Sequence, residues 1–330
     1  MAIPLITHPA YSFDFPGNHR FPMEKFGLLH RRLQQLGLAT ADNTLRPGKA
    51  RYDVLARAHD QGYLDRFFNN RQTPSEIRRM GLPWSEALAH RTRIAPNGTL
   101  LTATLALQQG IACHMAGGTH HAHRDFASGF CILNDLAITA LALLNSPDGL
   151  APGRGSVLIF DCDVHQGDGT AAILADEPRA FTCSIHCENN FPVRKASSDL
   201  DVGLPTGTGD DQYLHTVERT LLHAIERSRP ALVIYDAGVD VYSGDPLGLL
   251  EVSLEGLRQR ENTVLSLCQR KGIPVAVVIG GGYDNDREAL ARRHSMVFEE
   301  AFRLHAPGVP DPSSGIGRTV SVGNEGRLAD

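Results

Sequence analysis

SVLIFDCDVHQGDGT, residues 156–170, is the stretch whose reading decides the fold. Residues 157–160 are apolar without a break, whereas a strand exposed on one face would alternate. A continuous Val- and Ile-rich run is the pattern of a strand buried on both faces of a parallel sheet. The run then passes directly into polar, Gly-containing chain. Three further segments repeat the arrangement: AFTCSI at 180–185 leads into HCENNFP, ALVIY at 231–235 into DAGVDVYSGDP, and IPVAVVI at 273–279 into GGGYDND. Helix-like stretches lie between them, notably 209–227, with Thr208 as its expected N-cap, and 254–271. Alternating strands and helices predict an α/β fold: one mostly parallel sheet flanked by helices on both faces. No Gly/Ser linker divides the chain, so residues 1–330 are expected to form a single domain, with an irregular Pro- and Gly-rich tail over about 306–330. In such sheets ligand sites gather beyond the carboxyl ends of the strands, where residues distant in sequence converge.

Composition narrows the function. The 330 residues carry a formal net charge of −5 and no basic block, which argues against a nucleic-acid binder held by phosphate contacts. The start, MAIPLITHPAYSF, lacks the basic and apolar regions of a signal peptide, and no apolar run reaches the length of a membrane span. Six scattered cysteines then read as reduced thiols, and the expected location is cytoplasmic. Cys183 and Cys187 flank His186, but no second ligand pair follows to complete a metal knuckle. Histidine is more informative, because His114, His120, His121 and His123 fall within ten residues.

The polar segments carry the chemistry. Asp161, Asp163 and His165 are alternate residues, which would share one face of an extended chain. Carboxylates and imidazole suit zinc, a catalytic zinc needs three protein ligands, and Asp240 after the ALVIY run is the natural third. The plainer alternative is a solvated acidic turn. His120 and His121, beside Gly117 and Gly118, fit metal ligands, an acid–base pair or surface residues, and Asp161 and Asp168 could fix their tautomers. Gly280–Gly282 could be a simple turn and Tyr283 a packing residue, yet a phenol at a strand end beside a metal can hydrogen-bond a developing oxyanion.

Taken together, GGTHHA at 117–122, ASGFCILND at 127–135, DCDVHQGDGT at 161–170, GVDVYSGDP at 238–246 and GGGY at 280–283 resemble the zinc-dependent histone deacetylase superfamily. That superfamily also holds acetoin-utilisation proteins and acetylpolyamine amidohydrolases, and the resemblance covers roughly residues 5–305. HRFPMEKF at 19–26, GLPWS at 81–85 and the run from His186 to Leu214 look closest to class IV members and their bacterial relatives. The resemblance implies an arginase/deacetylase-like fold and one catalytic Zn2+ held by Asp163, His165 and Asp240. It makes His121 the general base and acid, oriented by Asp168, with His120 paired to Asp161 and Tyr283 polarising the scissile carbonyl. Phe130 and Phe191 become walls of an acyl-lysine tunnel that Gly129, Gly281 and Gly282 also border, and Asp161 and Ser184 line a structural K+ site. Gln166 stands where many eukaryotic members have His, a position that is neither ligand nor base.

The implied activity is hydrolysis of N-acylated lysine side chains in peptides or proteins, with class IV likeness pointing to acyl chains longer than acetyl. The alternatives are a deacylase of small N-acyl amines such as acetylpolyamines and, in another class, a non-catalytic acyl-lysine-binding scaffold. An acidic residue at the tunnel rim would favour polyamines, and Asp14, Asp60, Asp65 and Glu86 are the sequence's candidates for it. The oligomeric state stays open at this level.

Overall fold

Val157, Leu158, Ile159 and Phe160 are all buried, as an unbroken apolar run requires of a central parallel strand. They belong to the fourth of eight strands in the computed structural model, which describes residues 2–145, 149–150, 153 and 155–305. The strands are β1 (Leu5–Ile6), β2 (Thr44–Leu45), β3 (Ile111–His114), β4 (Ser156–Asp161), β5 (Ala180–Cys187), β6 (Leu200–Leu204), β7 (Pro230–Asp236) and β8 (Val275–Val278). Their order in the sheet is β2-β1-β3-β8-β7-β4-β5-β6, and every neighbouring pair is parallel. Helices Glu86–Gln109, Asp135–Leu144 and Asp168–Leu174 cover one face; Lys25–Gln35, Asp210–Ser228, Leu254–Arg270 and Arg287–His305 cover the other. The sheet and its two helical layers are the architecture that the strand–helix alternation predicts.

The four strands read from the sequence are present as β4, β5, β7 and β8. The other four escape a pattern reading for physical reasons. The edge strand β6, LDVGL, keeps its polar positions in solvent, and β1 and β2 are two residues long. The helix expected at 209–227 runs Asp210–Ser228 and is capped by Gly209, not Thr208. The Thr208 hydroxyl instead donates back to the Pro205 carbonyl at 2.8 Å. The expected irregular tail lies outside the described residues.

The topology positions the site. β4 pairs with β5 on one side and with β7 on the other, so chain that leaves β4 emerges at a point where the connection changes direction. Segments following β3, β8, β7 and β4 therefore meet at one end of the sheet, where such folds bind ligands.

Candidate active site

Two tight turns beyond β4 build the first half of the site. The Asp163 N–H donates to Asp161 Oδ1 at 3.0 Å, and the His165 N–H donates to Asp163 Oδ1 at 2.9 Å. The strand has already ended at Asp161, so side-chain-capped turns, rather than the face of an extended strand, aim Asp163 and His165. Asp240, after β7, completes a group with them: one ligand atom from each lies within 4.8 Å of the others. His165 Nδ1 faces both carboxylates, 3.0 Å from Asp163 and 3.2 Å from Asp240. Backbone N–H groups hold the outer oxygens, Val164 donating to Asp240 Oδ1 at 2.9 Å and Gly281 to Asp163 Oδ2 at 2.7 Å. Asp240 Oδ2 is buried, 3.2 Å from His165 Nδ1, and accepts no well-formed hydrogen bond. A carboxylate oxygen left so in the interior is costly unless a cation satisfies it. A Cβ on Gly281 would collide with the carboxylates of both Asp163 and Asp240, so only glycine lets the wall close on this group.

The paired histidines follow β3. His120 Nδ1 is 2.7 Å from Asp161 Oδ2, and His121 Nδ1 is 2.6 Å from Asp168 Oδ1. The loop that carries them turns at Gly117 and Gly118, with φ of 90° and 79°. Asp135 fixes it by accepting from the Thr119 N–H at 2.7 Å and the Gly118 N–H at 3.2 Å. Environment drives the two imidazoles apart. Burial opposes a charge on His120, but Asp161 and Asp163 outweigh it and hold its pKa well above the ordinary value. Burial and then the neighbouring His120 push His121 down to about 3, against the pull of Asp168. The environment thus favours the neutral form of His121, with an unprotonated ring nitrogen, and the charged form of His120.

Tyr283 closes the site at the end of the glycine run, its N–H donating to Asp245 Oδ2 at 2.7 Å. Burial, with Asp240 and Asp163 close by, raises its pKa well above the ordinary phenol value, so it stays a hydrogen-bond donor. These groups line one cavity of about 630 Å³. Phe130 lies 6.0 Å from Tyr283, and the Phe191 ring meets His121 edge-on at 4.8 Å. Gly129 and Gly281 also border the cavity. Gly282 does not: a Cβ there would meet Val239 and His294. Asp161 stands in register with Ser184 across β4 and β5, where the Ser184 hydroxyl bonds His186 at 3.0 Å. His186, Cys183 and Cys187 belong to no metal-holding group among the described residues.

Several residues at the cavity escaped the sequence reading. Lys25 is buried, donates to the Gly280 carbonyl at 3.1 Å, and is pushed down to about 8 by burial despite Asp240 and Asp163. HRFPMEKF gave no signal for it, because His19, Arg20 and Glu24 make Lys25 one polar residue among several. Arg91 lies further in, donating to the Tyr11 carbonyl at 3.1 Å. Asp236 is fully buried between Gly118 and Gly280 with neither oxygen hydrogen-bonded. The rim also differs from expectation. Asp14, Asp60, Asp65 and Glu86 do not line the cavity, whereas Arg20, Arg78 and Arg79 do. Asp60 is occupied as the N-cap of helix Gln61–Phe68.

Residues 19–301 match the histone deacetylase domain, and the chain belongs to that family. It is 47% identical over 301 residues to an uncharacterized protein of Picosynechococcus sp., spanning 91% of this chain and 99% of the relative. It is 28% identical over 298 residues to histone deacetylase 2 of Arabidopsis thaliana, spanning 85% and 74% of the two chains. The crystal structure of a histone deacetylase homologue from Aquifex aeolicus superposes with a TM-score of 0.75 at 22% identity, over 91% of this chain and 84% of that one. That similarity shows the shared fold.

Proposed function

We propose that the protein hydrolyses the amide bond of N-acylated lysine side chains in peptides or proteins. The observation that carries this reading is the gathering of Asp163, His165 and Asp240 within 4.8 Å, beside a cavity that Asp163 and His165 line together with His121 and Tyr283. One imidazole and two carboxylates, with a buried Asp240 oxygen that accepts no well-formed hydrogen bond, are a donor set that fits catalytic zinc. Zinc held there would supply Lewis acidity, polarising the acyl carbonyl and lowering the pKa of water to about 7.

The protein's own groups account for the remaining chemistry. His121, with Nδ1 fixed by Asp168, takes a proton from the attacking water at Nε2. It returns that proton to the departing amine, which would otherwise leave as an unstable anion. Tyr283 donates its hydroxyl to the developing oxyanion. His120, held cationic against Asp161, balances that negative charge. Phe130 and Phe191 flank the alkyl part of the substrate, and Gly129 and Gly281 leave it room. The same reading assigns a structural potassium ion beside Asp161 and Ser184, a pairing their strand register supports. The unpaired state of all six cysteines agrees with a cytoplasmic location, and no described helix is long and apolar enough to cross a membrane.

A polycationic acetylpolyamine finds no support at the rim, where, among the described residues, Asp163 is the only carboxylate lining the cavity and three exposed arginines line it as well. The test is turnover by the zinc-loaded protein of acetyl- and octanoyl-lysine peptides beside an acetylpolyamine. Peptide turnover that a chelator abolishes and zinc restores supports the reading. Turnover of the polyamine alone would replace it with the small-amine reading, and binding without turnover would leave a scaffold.

A further inference from the structure

From the geometry of the cavity entrance we infer that the preferred substrate is an acyl-lysine peptide with acidic residues flanking the lysine. The inference rests on the deacylase reading above and concerns what lies outside the tunnel. Arg20, Arg78 and Arg79 line the cavity and are exposed. Among the described residues none of the three makes an ion pair. Among the described residues no Asp or Glu other than the buried Asp163 lines the cavity to offset them.

The backbone that carries the three cations is also held in place. Helix Pro74–Met80 carries Arg78 and Arg79 in its last turn and stops at Gly81 in the left-handed region, φ 75°. The Phe130 N–H donates to the Met80 carbonyl at 3.0 Å, so the helix end is tied to the aromatic wall. His19 bonds the Gly81 carbonyl at 2.9 Å through its ring and so brings the adjoining Arg20 to the same edge. The Arg79 guanidinium lies 4.0 Å over the Phe126 ring, which restricts its motion. Cations fixed around a low-dielectric opening focus potential on it and favour ligands of opposite sign. Basic residues in a last helical turn also complement the helix dipole. That role involves neither Arg20 nor the substrate, so it predicts no preference among peptides.

The experiment uses the zinc-loaded full chain and acetyl-lysine peptides identical except for flanking Asp, Ala or Lys. The expected order of kcat/KM is Asp above Ala above Lys. Each exposed pair contributes a factor of about 1.5 to 5, so the extremes should differ by about tenfold at low salt. The spread should shrink at about 0.5 M salt, where the screening length is a few ångströms. The Arg78→Glu/Arg79→Glu protein should reverse the order, and Arg20→Glu should narrow it if the double variant fails to fold. Calorimetric titration of the same peptides into His121→Ala protein reads affinity without turnover. An acidic preference in binding with no turnover of any peptide by the parent protein would reject the deacylase reading while the rim inference stands. Equal kcat/KM and equal affinity across the three peptides, or an order unchanged by charge reversal, would overturn the inference. Free Nε-acetyllysine, whose own carboxylate is the anion, separates the two sources of negative charge. Its preference over the acidic peptide would also overturn the inference.

Discussion

The Asp168 carboxylate bridges two imidazoles: Oδ1 lies 2.6 Å from Nδ1 of His121, and Oδ2 lies 3.0 Å from Nε2 of His123. Burial opposes its charge, but the bonds from His121 and His123 outweigh burial and hold Asp168 below the usual carboxylate range. A permanently ionised acceptor keeps the proton of neutral His121 on Nδ1 and leaves Nε2 bare toward the cavity.

His121→Ala should therefore be more damaging than His120→Ala, because only His121 is assigned direct proton transfer. Loss of a general acid–base group is typically worth about 10²–10⁴-fold in rate. Steady-state kinetics on an acyl-lysine peptide measure both variants. Equal losses, or a worse His120 variant, would mean that the proton moves through the other imidazole.

Tyr283→Phe should lower kcat by about 10²–10³-fold, the usual effect of removing one oxyanion donor. Zinc content should be unchanged, since Tyr283 is not one of the three residues proposed to hold it. A variant with near-parent kcat would reduce Tyr283 to a packing residue.

The parent protein should hold about one catalytic zinc per chain, and Asp240→Ala should lose it together with all hydrolysis. Gly281→Ala tests the same group without removing a donor, because its Cβ would intrude on Asp163 and Asp240. It should lower zinc affinity while the protein stays folded. Metal analysis with circular dichroism reads both, and full zinc occupancy in Asp240→Ala would reject the ligand assignment.

Acid should weaken the fold through His59. Its Nδ1 bonds the His123 carbonyl at 2.9 Å and its Nε2 accepts from the Asn134 N–H at 2.9 Å, which requires the neutral ring. Burial pushes its pKa down to about 4, from an unfolded value of about 6.5. The unfolded state binds the extra proton below about pH 6.5. Stability is thus full above that pH and is lost progressively down to about pH 4, by roughly 3 kcal/mol. His59→Gln should lower the melting temperature at pH 7 and flatten its fall between pH 6.5 and 4 relative to the parent. Parallel pH profiles would show that His59 does not titrate on unfolding.

Much of this protein was legible in the order of its residues. Burial on both faces forces β4, β5, β7 and β8 to be apolar without interruption, so each announced itself and the polar segment at its end. The proposed donors Asp163, His165 and Asp240 were readable because each sits in such a segment, whereas the pairs His120–Asp161 and His121–Asp168 were readable only through the resemblance of GGTHHA and DCDVHQGDGT to family motifs. Pattern could not supply what depends on contacts across the fold. Asp163 and His165 are aimed by capped turns that form only after the strand stops. Lys25 reaches the glycine run, and Arg78 and Arg79 reach the entrance, only because helices distant in sequence pack there. Local sequence fixes which groups lie at each strand end, since hydrophobic burial and turn chemistry act over a few residues. Which ends stand side by side follows from the pairing order β3-β8-β7-β4-β5, set by packing between segments far apart in the chain.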